Sequence, residues 1–428
     1  MAHIVFMTYG ITSYLNTSFA VAAGLRARGH RVTYVSSLDV ETAVTTQGFN
    51  FMLLADEARI RQDPERLQLE RLPGRQRYQQ RDALIRVGQR QRDYYLESDE
   101  WSRMLEVLQP DVLCIDEELP EAIIRLSSHS IPMLLVQYIG DTRYRPGLPP
   151  ASSHLVPDGS LQSRVKIQVE WLKLWAKRGL THLLAPLFYA GTDRRSIIRA
   201  LAKQVGFDYG RAAFHHWFPM TFPDIPTLIL AAPVFDFAPP PQVDGAYVGP
   251  MVWSDRVDAV DEGTSAAVEA FLQRVVAAFR QRPEWDLVLA SGVETAVSHF
   301  EPIPENVLVC ERVPQLRLLE QADVVLTHGG IGTINECITY GVPMITYSTG
   351  KMEQNGSAAR VEFHEMGLRS AIDDTPAEAI AAQIAHVLSN PHYRANVTKM
   401  QALYQQYHAE NRAVEHIETV LHEDGSGV

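Results

Sequence analysis

The sequence predicts an α/β protein with two domains, each built around a parallel β-sheet. The chain has 428 residues, which is enough for two or three domains with separate cores. A strand, a helix and a second strand follow one another over residues 4–35, an order that is typical of parallel sheets. A similar alternation of helices and strands returns between residues 266 and 347. Both halves of the chain therefore predict the same kind of domain.

A proline-rich stretch separates the two halves. Pro233 and Pro239–Pro241 follow an apolar run at residues 227–231, which we predict to be the last strand of the first domain. The predicted divisions are an N-terminal domain at residues 1–237, a linker at 238–256, a C-terminal domain at 257–400 and a final helical segment at 401–428.

The composition argues against several classes of protein. The formal net charge is −12, whereas nucleic-acid-binding proteins usually present a basic surface. The three cysteines, Cys114, Cys310 and Cys337, are too far apart in sequence for a metal-binding motif or a disulfide framework. The first residues do not resemble a secretory signal, and no apolar run approaches the roughly 20 residues that span a bilayer. We therefore predict a cytoplasmic protein with no nucleic-acid partner and no transmembrane segment.

The first β-α-β unit begins with a buried strand at residues 4–8. A loop at residues 9–17 leads into a helix, for which Asn16 or Thr17 is the predicted N-cap. The loop contains Gly10 but no GxGxxG sequence, so it lacks the glycines that admit the pyrophosphate of a dinucleotide. The sequence therefore disfavours a dehydrogenase.

Acidic residues follow the predicted strand at residues 111–115. Asp116 and Glu117 come directly after its apolar run, and a further strand is predicted at residues 132–136. In open α/β sheets, ligands bind in the crevice at the carboxyl ends of the strands. We therefore expect Asp116 and Glu117 to face a ligand.

The clearest functional signal is a glycine-rich turn in the C-terminal half. An apolar run at residues 323–327 ends in His328-Gly329-Gly330, and a helix is predicted from Gly332 to Tyr340. A strand, a glycine turn and a helix in this order direct backbone N–H groups and the positive helix end at one spot, which suits a phosphate. Because Gly330 and Gly332 have no side chain, a diphosphate can approach the backbone closely.

The segment from Arg312 to Ala358 resembles the signature sequence of glycosyltransferase family 1, the UDP-glycosyltransferase-like enzymes that include bacterial natural-product glycosyltransferases. The resemblance implies the GT-B fold, in which two Rossmann-like parallel-sheet domains face each other across a cleft. It implies that the C-terminal domain binds a UDP- or TDP-linked sugar as co-substrate, with no other cofactor and no metal. It also implies that the final helix packs back on the N-terminal domain.

The resemblance gives each donor-binding position a role. The implied donor-binding residues are Val313 and Gln315 at the base, His328, Gly330, Gly332 and Thr333 at the diphosphate, Glu336 at the ribose, and Glu353 and Gln354 at the sugar. These side chains suit their roles, because a carboxylate accepts hydrogen bonds from both hydroxyls of a diol and a threonine hydroxyl donates to phosphate. Glu353 departs from the aspartate that is usual in the family, so the identity of the sugar stays open.

The resemblance also implies that the N-terminal domain binds the acceptor, a small and largely apolar natural product. An amphipathic helix is predicted at residues 165–178, and aromatic side chains on and around it are expected to line an apolar cleft. The predicted acceptor-binding residues are Tyr14, Asn16, Tyr138, Trp171 and His215. Aromatic stripes of this kind also form ordinary protein cores.

Arginine and glutamine are frequent in residues 57–100, and apolar residues are sparse. We interpret this stretch as two solvated surface helices with Pro73 and Gly74 between them. The alternative is a mobile cover over the acceptor site that attracts an acidic acceptor.

The catalytic residues depart from the family pattern. Family members transfer the sugar with inversion, and a histidine in the first loop is the general base, held by an aspartate from a later strand. Asp116 stands at the position of that aspartate, but Tyr14 stands where the histidine is expected. A phenol has a reference pKa of about 10 and is a poor base at neutral pH. We therefore predict an atypical base, with Asp116 favoured and Glu117 and Tyr14 as further catalytic candidates.

Several explanations of the missing histidine remain open. Asp116 or Glu117 acts directly, or a histidine such as His154, His215 or His216 is recruited, or the acceptor ionises easily. An alternative of another class is an auxiliary or regulatory protein that binds a nucleotide sugar without transferring it, which the degenerate turn at residues 258–263 also favours. The expected partners are a nucleotide sugar and a small acceptor, and a homodimer is included among the expected states.

Overall fold

The computed structural model describes residues 1–213, 217–218, 220–238, 246–257, 266–292, 295–351, 353–373 and 375–423. The predicted acceptor residue His215, the alternative base His216, the turn at residues 258–263 and part of the predicted linker lie outside the described residues. Within these ranges, no helix combines the length and the apolar character needed to cross a membrane.

The described residues form strands and helices that alternate along most of the chain. The strands are β1 (His3–Met7), β2 (Arg31–Ser36), β3 (Asn50–Leu53), β4 (Val112–Asp116), β5 (Met133–Gln137), β6 (Thr227–Ile229), β7 (Ala246–Tyr247), β8 (Leu287–Ala290), β9 (Val307–Cys310), β10 (Val325–Thr327), β11 (Met344–Ser348) and β12 (Gly367–Ala371). The helices are α1 (Thr12–Ala27), α2 (Glu41–Thr45), α3 (Ala55–Arg61), α4 (Pro64–Arg71), α5 (Gly74–Gln79), α6 (Arg81–Glu97), α7 (Glu100–Leu108), α8 (Pro120–Leu126), α9 (Leu161–Tyr189), α10 (Arg194–Val205), α11 (Ala266–Arg280), α12 (Gln315–Leu319), α13 (Ile331–Tyr340), α14 (Gln354–Phe363), α15 (Ala377–Ser389), α16 (Pro391–Glu410) and α17 (Arg412–Glu423).

The N-terminal domain has a parallel sheet in the strand order β3-β2-β1-β4-β5-β6-β7. Successive side chains of a strand point to opposite faces, so Ile4 and Phe6 enter one core while Val5 and Met7 enter another. Helices α1 and α17 cover the first face, and α7, α8 and α10 cover the second. Burial on both faces explains why the central strands are continuously apolar.

The last strand of this sheet was not predicted. The short strand β7 pairs in parallel with β6, with Leu228 opposite Ala246 and Ile229 opposite Tyr247. The prediction that residues 227–231 form the last strand is therefore wrong. Two residues are too short a run to show strand periodicity, and the prolines before them indicate a linker.

The C-terminal domain has two parallel sheets, one of β8 and β9 and one in the order β10-β11-β12. Side chains from both sheets, including Val309 and Ile345, meet in one core with helices α11 and α15. A second core joins α13, α14 and α16 to residues 232–235 and 252 of the N-terminal half. The predicted α/β class with parallel sheets is therefore confirmed.

The chain ends with a return to the N-terminal domain. Asn411 has a left-handed backbone conformation, with φ of 44°, and this residue separates α16 from α17. Ala413, Val414 and Ile417 of α17 enter the core of the N-terminal domain beside α1. Glu418 accepts hydrogen bonds from Arg28 and from His30 Nε2, the latter at 3.2 Å. The segment that packs on the N-terminal domain is therefore α17.

Several predicted helices differ from those observed. Helix α1 begins at Thr12 with Ile11 as its N-cap, so the predicted caps Asn16 and Thr17 lie inside the helix. The helix predicted at residues 165–178 is the middle of α9, which extends further at both ends. Residues 57–100 contain most of the four helices α3 to α6 and the start of α7, where two helices were predicted.

Candidate active site

The two domains meet where the start of α1 approaches the start of α13. A Cβ atom built on Gly332 would lie 3.6 Å from Cβ of Ser13, an ordinary contact distance. On one side of this contact, Asp236 accepts hydrogen bonds from Arg145 of the N-terminal domain and from Arg360 of α14, the latter at 2.7 Å from Nη2. The glycine-rich turn therefore faces the other domain at close range.

The predicted diphosphate residues gather at the start of α13. Gly329 has φ of 88°, in the left-handed region that favours glycine, and this turn brings β10 into the helix. The His328 ring lies against Gly330, two residues later, because a Cβ atom on Gly330 would be only 2.7 Å from the His328 Nε2 atom. Gly332 and Thr333 belong to the first turn, whose N–H groups have no partner within the helix. The geometry is that of a helix N-terminus, a place where a negative charge is favoured.

Glu353 occupies this helix start. Its Oε1 accepts a hydrogen bond from the Ile331 N–H at 3.3 Å, although its predicted role was to bind the sugar. Burial raises the pKa of Glu353, and the nearby charge of Glu118 in the N-terminal domain adds to the increase. An anion on the helix dipole is favourable, so the carboxylate stands where a phosphate oxygen could bind.

Glu336 and Gln315, predicted at the ribose and the base, lie side by side. Gln315 Nε2 donates to Glu336 Oε2 at 2.5 Å. The other oxygen of Glu336 accepts from Arg256 Nη1 at 2.7 Å, and both side chains of this ion pair are buried. Arg256 was missed in the sequence, because nothing in a proline-rich segment indicates a partner for residue 336 of the chain.

Gln354 supports the loop before α14. Its Oε1 accepts hydrogen bonds from the Thr349 N–H at 3.2 Å and from the Thr349 hydroxyl at 2.6 Å. The side chain therefore fixes residues 348–350 beside Glu353. Val313, the other predicted base contact, is partly buried two residues before Gln315, at the start of α12.

In the N-terminal domain, Tyr14 is hydrogen-bonded to Glu118, a carboxylate that is not among the predicted catalytic residues. The Tyr14 hydroxyl donates to Glu118 Oε1 at 2.9 Å, and its ring stacks on Tyr138 with 4.3 Å between the centroids. Burial raises the pKa of Tyr14 well above its ordinary value, and the charges of Glu118, Asp116 and Glu353 raise it further. Tyr14 therefore stands as a hydrogen-bond donor to Glu118 in this arrangement.

Asp116 has a different environment. Its Oδ2 accepts from the Tyr9 N–H at 3.3 Å, and its Oδ1 accepts from the Glu118 N–H at 3.1 Å. Burial raises the pKa of Asp116 to about 7, and the Glu118 charge contributes to the increase. Asp116 therefore fixes the turn after β4, and this turn presents the Glu118 side chain to Tyr14.

Glu117 faces another cavity. It lines a space of about 110 Å³ together with Arg143, Thr221 and Phe222, whereas neither Tyr14 nor Glu118 lines that space. Burial raises the pKa of Glu117 to about 8, and the charge of Asp116 adds to the effect. The sequence placed Asp116 and Glu117 in one crevice, but adjacent residues after a strand diverge in direction.

The structure places the predicted acceptor residues in different environments. Tyr138 lies directly beneath Tyr14 in the stack. Trp171 is buried, and its Nε1 donates to the Leu148 carbonyl at 2.8 Å, so the expectation that it lines an open cleft is wrong. Asn16 is partly buried on α1, two residues after Tyr14, and its Oδ1 has no hydrogen-bond partner within the described part of the chain.

A cavity of about 470 Å³ lies in the N-terminal domain between α4–α6, α9 and the start of α10, and we call it the acceptor cavity. Gly88 of α6 allows this wall to form, because a Cβ atom there would overlap Thr192. Residues 57–100 therefore form one side of a cavity, and the interpretation as two solvated helices is wrong. Apolar positions in this stretch are widely spaced, so its buried face was not visible in the sequence.

The acceptor cavity adjoins the Tyr14–Glu118 pair. The side chain of Tyr9 lines the cavity, while the Tyr9 N–H is bonded to Asp116. Arg194 also lines the cavity, and its Nη2 donates to the Glu118 carbonyl at 2.8 Å. Tyr9 and Arg194 therefore connect the wall of the cavity to the turn that carries Glu118.

Two parallel-sheet domains, a glycine-rich helix start at their contact and a final helix that returns to the first domain define the GT-B class of fold. Residues 286–414 match the family model described as the erythromycin biosynthesis protein CIII-like, C-terminal domain. The NDP-glycosyltransferase YjiC of Bacillus licheniformis is 30% identical over 151 residues, which are 35% of this chain and 38% of that protein.

A longer alignment joins the chain to the demethyllactenocin mycarosyltransferase of Streptomyces fradiae, which is 23% identical over 94% of this chain and 82% of that protein. The chain spans 34–39% of the length of the first curated relatives it matches. The crystal structure of glycosyltransferase VinC in complex with dTDP covers 99% of this chain and 100% of its own, with a TM-score of 0.60 and 16% identity. The GT-B fold and the resemblance to natural-product glycosyltransferases are therefore confirmed.

Proposed function

We propose that the protein is an inverting glycosyltransferase that moves a sugar from a UDP- or TDP-linked donor to a small-molecule acceptor without a required metal. The names of two relatives, an NDP-glycosyltransferase and a mycarosyltransferase, support transfer from an activated sugar. The observation that carries the proposal is the contact between the domains. There, the Tyr14–Glu118 pair of one domain lies near Glu353 at the start of α13 in the other.

The donor is proposed to lie along α13. Its nucleoside binds near Gln315 and Glu336, which are hydrogen-bonded to each other. Its diphosphate binds at the helix start, where His328 and the N–H groups of the first turn stabilise the negative charge that grows as the leaving group departs. The sugar then extends toward Glu353 and Gln354, and the anomeric carbon comes to the contact between the domains.

Glu118 is proposed as the general base. One carboxylate oxygen of Glu118 accepts the Tyr14 hydrogen bond, and the other is available to take the proton of the acceptor hydroxyl. Burial raises the pKa of Glu118, which makes it a stronger base than an exposed carboxylate. As the proton moves to Glu118, the acceptor oxygen bonds to the anomeric carbon and the bond from that carbon to the diphosphate oxygen breaks. A single displacement of this kind inverts the configuration.

The variant Glu118→Gln tests this assignment. Glutamine keeps the size of the side chain and accepts the Tyr14 hydrogen bond but cannot take a proton, so turnover should fall by about 10²–10⁴-fold. Affinity for UDP or TDP, measured by calorimetry, should stay unchanged. Glu106→Gln, an exposed change of the same type on α7, is the control. Nearly normal turnover in Glu118→Gln together with a crippled Asp116→Asn would return the role of base to Asp116.

Two further expectations stay proposals. A cytoplasmic location agrees with the three cysteines, which the structure leaves unpaired. The second expectation is a homodimer, for which no surface of the protein was predicted as the interface. Helix α9 presents exposed apolar residues, among them Leu161, Leu172 and Leu183, and an apolar stripe of this kind suits an interface. No specific observation favours the alternative of a binding protein without transferase activity.

A further inference from the structure

The acceptor cavity is lined by more positively charged side chains than negatively charged ones. Six arginines and three carboxylates line it, together with His182. The arginines are Arg61, Arg66, Arg77, Arg178, Arg194 and Arg195, and the carboxylates are Glu70, Glu121 and Asp193. A cavity for a neutral apolar molecule has no need of this concentration of guanidinium groups.

Three of the arginines are neutralised within the wall. Arg61 pairs with Glu57 at 2.9 Å, and Arg66 pairs with Glu70 at 2.7 Å. Arg194 makes a bidentate ion pair with Glu121, in which Nε and Nη2 donate to the two carboxylate oxygens at 2.6 and 2.9 Å. These pairs are structural, and of the three lining carboxylates they leave only Asp193 to balance Arg77, Arg178 and Arg195.

Two of the others, Arg178 and Arg195, have no carboxylate partner in the part of the chain that the structure describes. Arg178 donates only to the Trp217 carbonyl, at 3.1 Å, and burial lowers its pKa. Arg195 makes no ion pair with any described residue. Both side chains lie near His182, whose pKa is lowered first by burial and then by the charges of Arg195 and Arg178. The Asp193 charge opposes their effect on His182, but one carboxylate does not balance two guanidinium groups, and a bound anion would supply the missing negative charge.

The position of Arg195 adds a second cost. It is in the first turn of α10, beside Arg194 and after the N-cap Asp193, whose carboxylate accepts a hydrogen bond from the Ser196 N–H at 3.2 Å. Cations at a helix N-terminus oppose the helix dipole, which adds its own positive potential at the same place. The Asp193 cap offsets part of this repulsion, and a bound anion would offset more of it.

We propose that the acceptor is a hydroxy acid whose carboxylate binds Arg178 and Arg195 in the acceptor cavity. This inference rests on the proposed function and deepens it by naming the class of acceptor. The apolar part of the molecule packs against Leu84, Val87 and Ile198, which also line the cavity. Its hydroxyl reaches the turn after β4, where Tyr9 and Arg194 join the cavity to Asp116 and Glu118. An acceptor with an apolar body and one acidic end therefore replaces the wholly apolar acceptor.

Binding of a matched pair of probes tests the proposal. The probes are para-hydroxyphenylacetic acid and its methyl ester, and calorimetric titration measures the affinity of the full-length protein for each. One charge-assisted contact to a carboxylate corresponds to about a tenfold to hundredfold preference for the acid in the unaltered protein. The preference should fall to about twofold or less in Arg195→Gln combined with Arg178→Gln, and by an intermediate amount in Arg195→Gln alone.

Lys203→Gln is the control, because Lys203 is an exposed cation on the same helix that does not line the cavity. It should keep the full preference for the acid. Arg195→Gln guards against misfolding, since Arg195 holds no other described side chain in place. Equal affinity for acid and ester in the unaltered protein would overturn the proposal, as would a preference for the acid that survives in the double variant.

Release of nucleoside diphosphate is measured separately from acid binding, so that the transferase proposal and the hydroxy-acid proposal can fail independently. Release of nucleoside diphosphate from UDP- or TDP-sugars with neutral phenols, at the same kcat/KM as with acids, would overturn the hydroxy-acid acceptor and leave the transferase standing. Acid binding that depends on Arg195, without release for any donor and acceptor, would retain the anion site and overturn the transferase.

Discussion

Adjacent carboxylates of the N-terminal domain differ in what they touch. Asp116 accepts two backbone hydrogen bonds, whereas the Oε2 atom of Glu117 has no hydrogen-bond partner among the described residues. Glu118 bonds to Tyr14. The sequence correctly indicated an acidic cluster after β4, because the apolar strand ends there. It could not rank the three acids, since their contacts come from α1, the loop after β1 and residues near 143 and 221, all distant in the chain.

The stability of the protein should depend on the ionisation of Glu117. Its pKa is about 8 when folded, against an ordinary value of 4.5, so the folded state holds its proton more tightly than the unfolded state. Folding stability from this group is therefore present below about pH 4.5 and is lost as the pH rises through 8. Glu117→Gln should leave stability nearly unchanged at pH 5 and raise it at pH 9, by the order of a few kcal/mol.

Urea denaturation at the two pH values measures this difference, with Glu106→Gln as the exposed control. Turnover should remain close to normal in Glu117→Gln, because Glu117 faces a different cavity from Tyr14. A gain in stability that is the same at both pH values would show that burial of the charge is not its cause.

The buried ion pair of Arg256 and Glu336 gives a second prediction at the residue scale. Glu336→Ala should destabilise the fold by about 3–5 kcal/mol, because it breaks a buried ion pair by removing one of its two members. Adding Arg256→Met to that variant should recover much of the loss, as measured by urea denaturation. If the losses in the free energy of unfolding caused by Glu336→Ala and by Arg256→Met simply add in the double variant, the pair does not contribute as a unit. Titration of UDP or TDP into the double variant then measures the ribose contact, which should cost about tenfold to hundredfold in affinity.

At the scale of elements, helix α13 and its turn could be predicted well because their signals are local. Glycines, a helix-compatible run and the stop at Gly341 lie within a short stretch, and the helix was predicted to within one residue. The wall formed by α4 to α6 could not be predicted in the same way. Its helices are buried by α9 and by the turn before α10, which lie about a hundred residues later. Amphipathic patterns predict a buried face only when the apolar stripe is continuous.

The start of α13 also gives a prediction about donor binding. The Glu353 carboxylate accepts the Ile331 hydrogen bond at the place where a diphosphate oxygen is proposed to bind. Glu353→Gln removes a negative charge from this helix end, so the affinity for free UDP or TDP should rise by about two- to tenfold. Calorimetry measures the change, and Glu305→Gln on the exposed surface of the same domain is the control. A large loss of affinity would mean that Glu353 organises the helix start instead of competing with the diphosphate.

At the scale of the whole molecule, the functional groups come from both domains and meet only because the domains are held together. Arg145, Asp236 and Arg360 link the two domains on one side, and α17 fixes the end of the chain to the first domain. The acceptor cavity, the Tyr14–Glu118 pair and the start of α13 then follow one another across the contact. The proposed single displacement requires this order of acceptor, base and donor.

The central claim is that sugar transfer occurs at this contact with Glu118 as the base. The most direct measurement is proton NMR of a reaction that contains a UDP- or TDP-α-sugar and a hydroxy acid, followed in the unaltered protein and in Glu118→Gln. We expect a β-linked product, one nucleoside diphosphate released per product, and a rate about 10²–10⁴-fold lower in the variant. An α-linked product, or an equal rate in both proteins, would contradict it.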